Sequence, residues 1–152
     1  MAFVMMKRDT AGRITDRLKK IGPDTQRLWG KMQPVEIIAH LRRNVEISLG
    51  EVPVKDASVP VVRTLLRWFI FHLAPTWPKG KIKAPPIFLA APEGDFASER
   101  EKLLQSIDRF VEAEGREPSR IVLNPFLGPL PLSYWARIHG KHFDHHLRQF
   151  GV

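Results

Sequence analysis

The chain contains no cysteine. That absence excludes a disulfide-stapled fold, a thiolate nucleophile and any thiolate zinc site, so a transition-metal site here must be built from His, Asp or Glu. It also fits a cytoplasmic protein. Long apolar runs are missing as well. The longest, "VVRTLLRWFIFHLA" from Val61 to Ala74, falls short of the ~20 apolar residues that cross a bilayer, and Arg63 and Arg67 interrupt it. The opening "MAFVMMKR" lacks the layout of a signal peptide, because its short apolar run precedes the basic residues. No internal repeat, low-complexity tract or sustained strand alternation is present, which leaves an all-α class.

What is present is basic. The formal net charge is +8 over 152 residues, which favours anionic partners. The charges are dispersed and match no recognition motif, so specific nucleic-acid binding is not expected. A length of 152 residues with 43% hydrophobic side chains suits one domain, 1–152, with a single core.

Helical periodicity marks four segments. The first is "DTAGRITDRLKKIG". "MQPVEIIAHLRRNVEISLG" is the second, with Pro34 suited to the first turn and Gly50 to the stop. Its apolar arc holds Ile37, Ile38, Leu41, Val45 and Leu49, with His40 and Asn44 towards one flank; Arg42, Arg43 and Glu46 form the wet side. "DFASEREKLLQSIDRFVEAEG" is amphipathic, and its carboxylates, Glu99 among them, read as an ordinary solvated face. "PLSYWARIHGKHFDHHLRQFG" is the last. Between the second and third of these lie the strongly apolar "VPVVRTLLRWFIFHLAP", read as an extra helix with a strand possible over Val59 to Val62, and a Pro/Gly/Lys-rich loop, "TWPKGKIKAPPIFLAAPEG". "REPSRIVLNPFLGPL" reads as a connecting loop. The expected architecture is a four-helix bundle with a long crossover containing the extra helix.

Four of the six histidines fall in "HGKHFDHH", His139 to His146. His142 and His146 are four residues apart and stack one turn above another. They share an apolar arc with His139, while Arg137, Lys141, Asp144 and Arg148 point towards water and His145 towards the flank. Several imidazoles on a core-facing stripe are hard to satisfy by hydrogen bonds alone, and an unpartnered buried polar group costs on the order of 1–3 kcal/mol. A divalent ion satisfies them together. Position 143 is Phe, so the pair is not part of an HExxH motif and a metalloprotease is excluded. A third ligand must come from another helix, with His40 the first candidate and His72 the second.

"WGKMQPVEIIAHL" followed far downstream by "NPFLGPLPLSYWARIHGKHFDHHLRQFG" resembles the DinB/YfiT-like superfamily of metal-dependent four-helix-bundle proteins, and most closely a branch of unknown function. The likeness runs from about Arg17 to Val152 and is most specific at "KHFDHHLRQFG". It implies a three-histidine site matching His40, His142 and His146, holding zinc, nickel or a similar divalent ion. It implies activities such as thiol-dependent transfer with a low-molecular-weight thiol. His139 has no ligand role in that pattern and is expected to support the ligands from behind, as is Asn44, one turn after His40.

Three histidine ligands are the donor set of catalytic rather than structural zinc. The expected function is therefore a metal-dependent enzyme of the transferase or hydrolase type acting on a small molecule. The alternatives are a non-catalytic metal- or ligand-binding module and, more remotely, a basic protein that touches nucleic acid or a membrane surface through Arg63, Arg67, Lys79, Lys81 and Lys83. No general base is evident. The apolar excess between Val59 and Leu89 points to a homodimer contact.

Overall fold

A computed structural model describes residues 4–73, 76–77, 79 and 83–152. Lys81 and Ala74, which enter the expectations above, lie outside the described residues. The protein is mostly helical, with one small two-stranded sheet. In chain order come α1 (Ala11–Leu18), α2 (Pro34–Leu49), α3 (Pro60–Trp68) running into a π-helical turn (Phe69–Leu73), a 3-10 turn (Pro86–Phe88), α4 (Phe96–Arg116), β1 (Ile121–Asn124), β2 (Gly128–Pro131) and α5 (Leu132–Gln149).

The caps explain the ends of the long helices. Pro34 starts α2 with the φ it already prefers, and Glu36 reaches back to accept from the Gln33 amide at 2.6 Å. Gly50 closes α2 at φ 77°, a left-handed conformation that costs other residues roughly 1–2 kcal/mol. Asp95 opens α4 by accepting the Ser98 amide at 2.8 Å.

Helices α1, α2, α4 and α5 supply one continuous core. α2 lies along α4, and α1 along α5. Trp135, Phe110 and Phe143 are its largest fully buried side chains, each contributing roughly 1.5–3 kcal/mol by its burial. Val59 to Val62 are not strand: α3 begins at Pro60.

Three sequence expectations change. The segment read as a connecting loop after α4 contains the β1–β2 hairpin, antiparallel with Val122 opposite Leu130. Asn124 closes its turn by accepting the Phe126 and Leu127 amides, both at 3.0 Å. Gly128, at φ 71°, leaves room for Arg63, whose Nη1 would lie 2.7 Å from an added Cβ. The strands are four residues each, and β2 contains Pro129 and Pro131, so neither shows a period of two in sequence.

The charged residues placed in water are, in part, buried. Arg42 is 5% exposed and Glu99 0%. Arg42 Nε donates to Glu99 Oε2 at 3.1 Å, and the Glu93 amide donates to Glu99 Oε1 at 2.7 Å. Asp144 is buried between Arg17 and Arg148, each at 2.9 Å. Lys141 is buried with its ammonium on the Ile70 carbonyl. A helical wheel assigns one wet side, but α2 and α5 are flanked on several sides, and the intended surface meets a neighbour.

Arg67 is similarly committed. Its Nε and Nη2 donate to the Leu127 and Pro129 carbonyls, both at 2.7 Å, latching α3 onto the hairpin. The opposite side of α3 leaves Val61, Leu65 and Trp68 exposed, and Leu73 of the π-helical turn is exposed as well. Phe71 is instead turned inward and buried.

Candidate metal centre

The last helix carries His142 and His146 on one face, and α2 brings His40 opposite them. His40 Nε2 lies 2.9 Å from His142 Nε2, and His146 Nε2 lies 3.0 Å from the same atom. The donor atoms of all three fall within 4.8 Å of one another, close enough to hold a metal ion. His72, the other candidate, is exposed on the π-helical turn.

The outer nitrogens decide what the inner ones can do. His40 Nδ1 sits 2.8 Å from the Phe88 carbonyl oxygen. A carbonyl only accepts, so Nδ1 carries the proton and Nε2 of the neutral ring is a bare lone pair. Gln149 Nε2 donates to the Trp29 carbonyl at 2.9 Å, which turns Oε1 towards His146 Nδ1 at 3.0 Å. His146 Nδ1 is therefore also the protonated nitrogen, and its Nε2 is bare. His142 Nε2 thus meets two lone pairs, and its one proton can serve only one of them at a time.

A divalent ion resolves that conflict. In tetrahedral zinc a bond of about 2.0–2.1 Å puts two ligand nitrogens about 3.3 Å apart, a few tenths of an ångström wider than the two spacings to His142. The residues fit the group by donor type and tautomer, and all three donors lie within 4.8 Å of one another.

Burial keeps the imidazoles neutral, the form that binds a metal. Desolvation lowers the His40 pKa, partly offset by the Phe88 hydrogen bond. His142 is pushed well below 6.5 by desolvation and then by the neighbouring His146 and His40. His146 falls to about 3, first through desolvation and then through His40.

Asn44 hydrogen-bonds within the site. Its Nδ2 donates to the His40 carbonyl at 2.7 Å and, at a longer 3.4 Å, to the Phe88 carbonyl that orients His40. His139 does not. It turns away towards Ser48, with Nε2 2.8 Å from Oγ, and packs between Trp135 and Phe110. Its Nδ1 is buried without a hydrogen-bond partner, and desolvation lowers its pKa to about 3.

Sequence reasoning missed three contributors. Phe88 acts through its backbone, and Gln149 through a contact one turn beyond the histidines. His145 lines the cavity next to the three imidazoles, with Nδ1 3.3 Å from the Trp77 carbonyl and its ring 4.7 Å from that of Trp29. That cavity measures about 300 Å³ and is walled by Trp77, Phe88, Phe126 and Trp135, with the imidazoles to one side.

Fold and site together define a mostly helical protein with a three-histidine cluster that could hold a metal ion. The chain belongs to the family described as "Protein of unknown function (DUF1569)", whose model matches residues 4–151. No curated protein and no solved structure matches it.

Proposed function

We propose that this protein binds one divalent ion, zinc or nickel, through His40, His142 and His146, and uses it as a metal-dependent transferase or hydrolase acting on a small molecule. The observation that carries this reading is the pair of bare Nε2 lone pairs, on His40 and His146, facing His142 Nε2 at 2.9 and 3.0 Å. The packing of α1, α2, α4 and α5, with α3 on the long connection between α2 and α4, supports a DinB-like bundle with a crossover. No helix among the described residues is long and apolar enough to cross a membrane.

A bound divalent ion supplies Lewis acidity and, at neutral pH, an activated nucleophile. The chain supplies the rest. Phe88 and Gln149 hold the ligand rings in the required tautomer, and the aromatic walls exclude water. His145 is the one imidazole of the cavity left over by the ligand set. Its Nδ1 proton points to Trp77, so Nε2 is free to accept a proton from a reacting group. With no cysteine in the chain, a thiol nucleophile would come from outside. The reading includes a homodimer formed through the exposed side of α3, where Val61, Leu65 and Trp68 otherwise meet solvent.

The test is calorimetric titration of chelator-stripped protein with Zn and Ni, beside elemental analysis of protein purified without a tag. One ion per chain, lost on His142→Ala, supports the reading. Wild-type protein that binds neither ion defeats it. One ion bound with no turnover of any small ester, amide or thiol acceptor would favour the non-catalytic binding module.

A further inference from the structure

The cavity beside the histidines is unlike the rest of this basic protein. The chain carries a formal charge of +8, yet among the described residues lining the cavity there is no Asp, Glu, Lys or Arg. Its walls are aromatic and aliphatic. Apart from the histidines, the polar side chains on the lining are Asn44 and Asn124, both buried.

Each asparagine has half of its amide committed. Asn124 spends Oδ1 on the Phe126 and Leu127 amides, which leaves Nδ2 as a donor for a ligand. Asn44 spends Nδ2 on the His40 and Phe88 carbonyls, which leaves Oδ1 as an acceptor. A ligand is thus offered flat apolar walls, one neutral donor, one neutral acceptor and the imidazole centre.

We infer that the cavity takes an uncharged, ring-bearing small molecule with a carbonyl-type acceptor: the ring packs against Trp77, Phe88, Phe126 and Trp135, and the acceptor meets Asn124 Nδ2. In the metal-free cavity a charged ligand is disfavoured, because burying an ion without a partner costs several kcal/mol and the described lining residues offer no countercharge. The inference deepens the proposed function and rests on it for which end of the ligand reacts. Binding itself requires only the cavity.

The experiment uses full-length, chelator-stripped protein at pH 8 and two molecules of the same shape, 2-naphthamide and 2-naphthoate. Calorimetry should show one 2-naphthamide bound per chain and 2-naphthoate binding at least tenfold more weakly. Asn124→Asp keeps the acceptor that closes the hairpin turn and removes the Nδ2 donor. It should leave the circular dichroism unchanged and weaken 2-naphthamide at least tenfold. The inference is overturned if 2-naphthoate binds as well as the amide, if 2-naphthamide does not bind, or if Asn124→Asp leaves its affinity intact. A parallel zinc titration separates the two ideas. Lost zinc binding with intact 2-naphthamide selectivity defeats the metal reading alone, and the reverse defeats the substrate class alone.

Discussion

His40 and His142 stand 102 residues apart in the chain and bring their Nε2 atoms to 2.9 Å. In water two neutral imidazoles gain little from that approach, so the fold holds together groups with a shared use. Replacing His40, His142 or His146 by Ala should each abolish stoichiometric zinc binding in calorimetry. His145→Ala should leave one ion per chain, because the His145 hydrogen bond goes to Trp77 and not to the ligand set. Binding that survives His40→Ala and fails in His145→Ala would mean that the ligands are wrongly assigned.

Gln149 orients His146 through Oε1, and Gly30 makes room for Gln149. A Cβ at position 30 would overlap Gln149 Nε2, and Gly30 also has a positive φ of 87°. Gln149→Leu and Gly30→Ala should therefore weaken zinc by about 10–100-fold, the usual cost of losing an orienting partner, although neither residue is a ligand. Unchanged affinity in both would show that His146 needs no such support.

Acid should loosen the metal-free protein from an early point. In the unfolded chain imidazoles take protons near pH 6.5, while in the fold burial holds His139 and His146 neutral down to about 3. Between those values the unfolded state binds more protons. Stability is therefore complete above pH 6.5 and declines as pH falls from there towards 3. Urea midpoints of stripped protein should drop between pH 7 and pH 5, and less so in His139→Phe. A flat profile would contradict the burial of these rings.

Arg42 and Glu99 form a buried pair between α2 and α4. Arg42→Met strands a fully buried carboxylate and should cost about 3–5 kcal/mol in urea denaturation. The double variant Arg42→Met/Glu99→Leu should recover much of that loss. A single variant as stable as wild type would show the pair to be dispensable.

The exposed side of α3 should drive self-association. Sedimentation at tens of micromolar, where an ordinary dimer is assembled, is expected to report a dimer. Leu65→Glu should shift it to monomer, since Leu65 is 63% exposed and its replacement leaves the fold intact. A monomeric wild-type protein would end the homodimer reading.

The local chemistry of this protein was legible in one dimension. Pro34 and Gly50 mark helix ends because capping depends on near neighbours. The one-turn spacing of His142 and His146 follows from the helical repeat alone, and so does their place in an apolar arc. What crosses between elements was legible only in part. His40 stood out as a candidate partner through its apolar arc and the family likeness, but its 2.9 Å approach to His142 depends on α2 packing opposite α5. Phe88 became its orienter through a carbonyl that every residue possesses, so no side chain could announce it. Arg42, Glu99, Lys141 and Asp144 read as solvated because a wheel records direction and not what lies there. Likewise His139, expected to support the ligands, meets Ser48 and the core aromatics, and His145, expected only on the flank, meets the cavity. Periodicity depends on the backbone of one helix, which the sequence carries by itself. A site depends on which faces of several helices meet, and only their packing decides that.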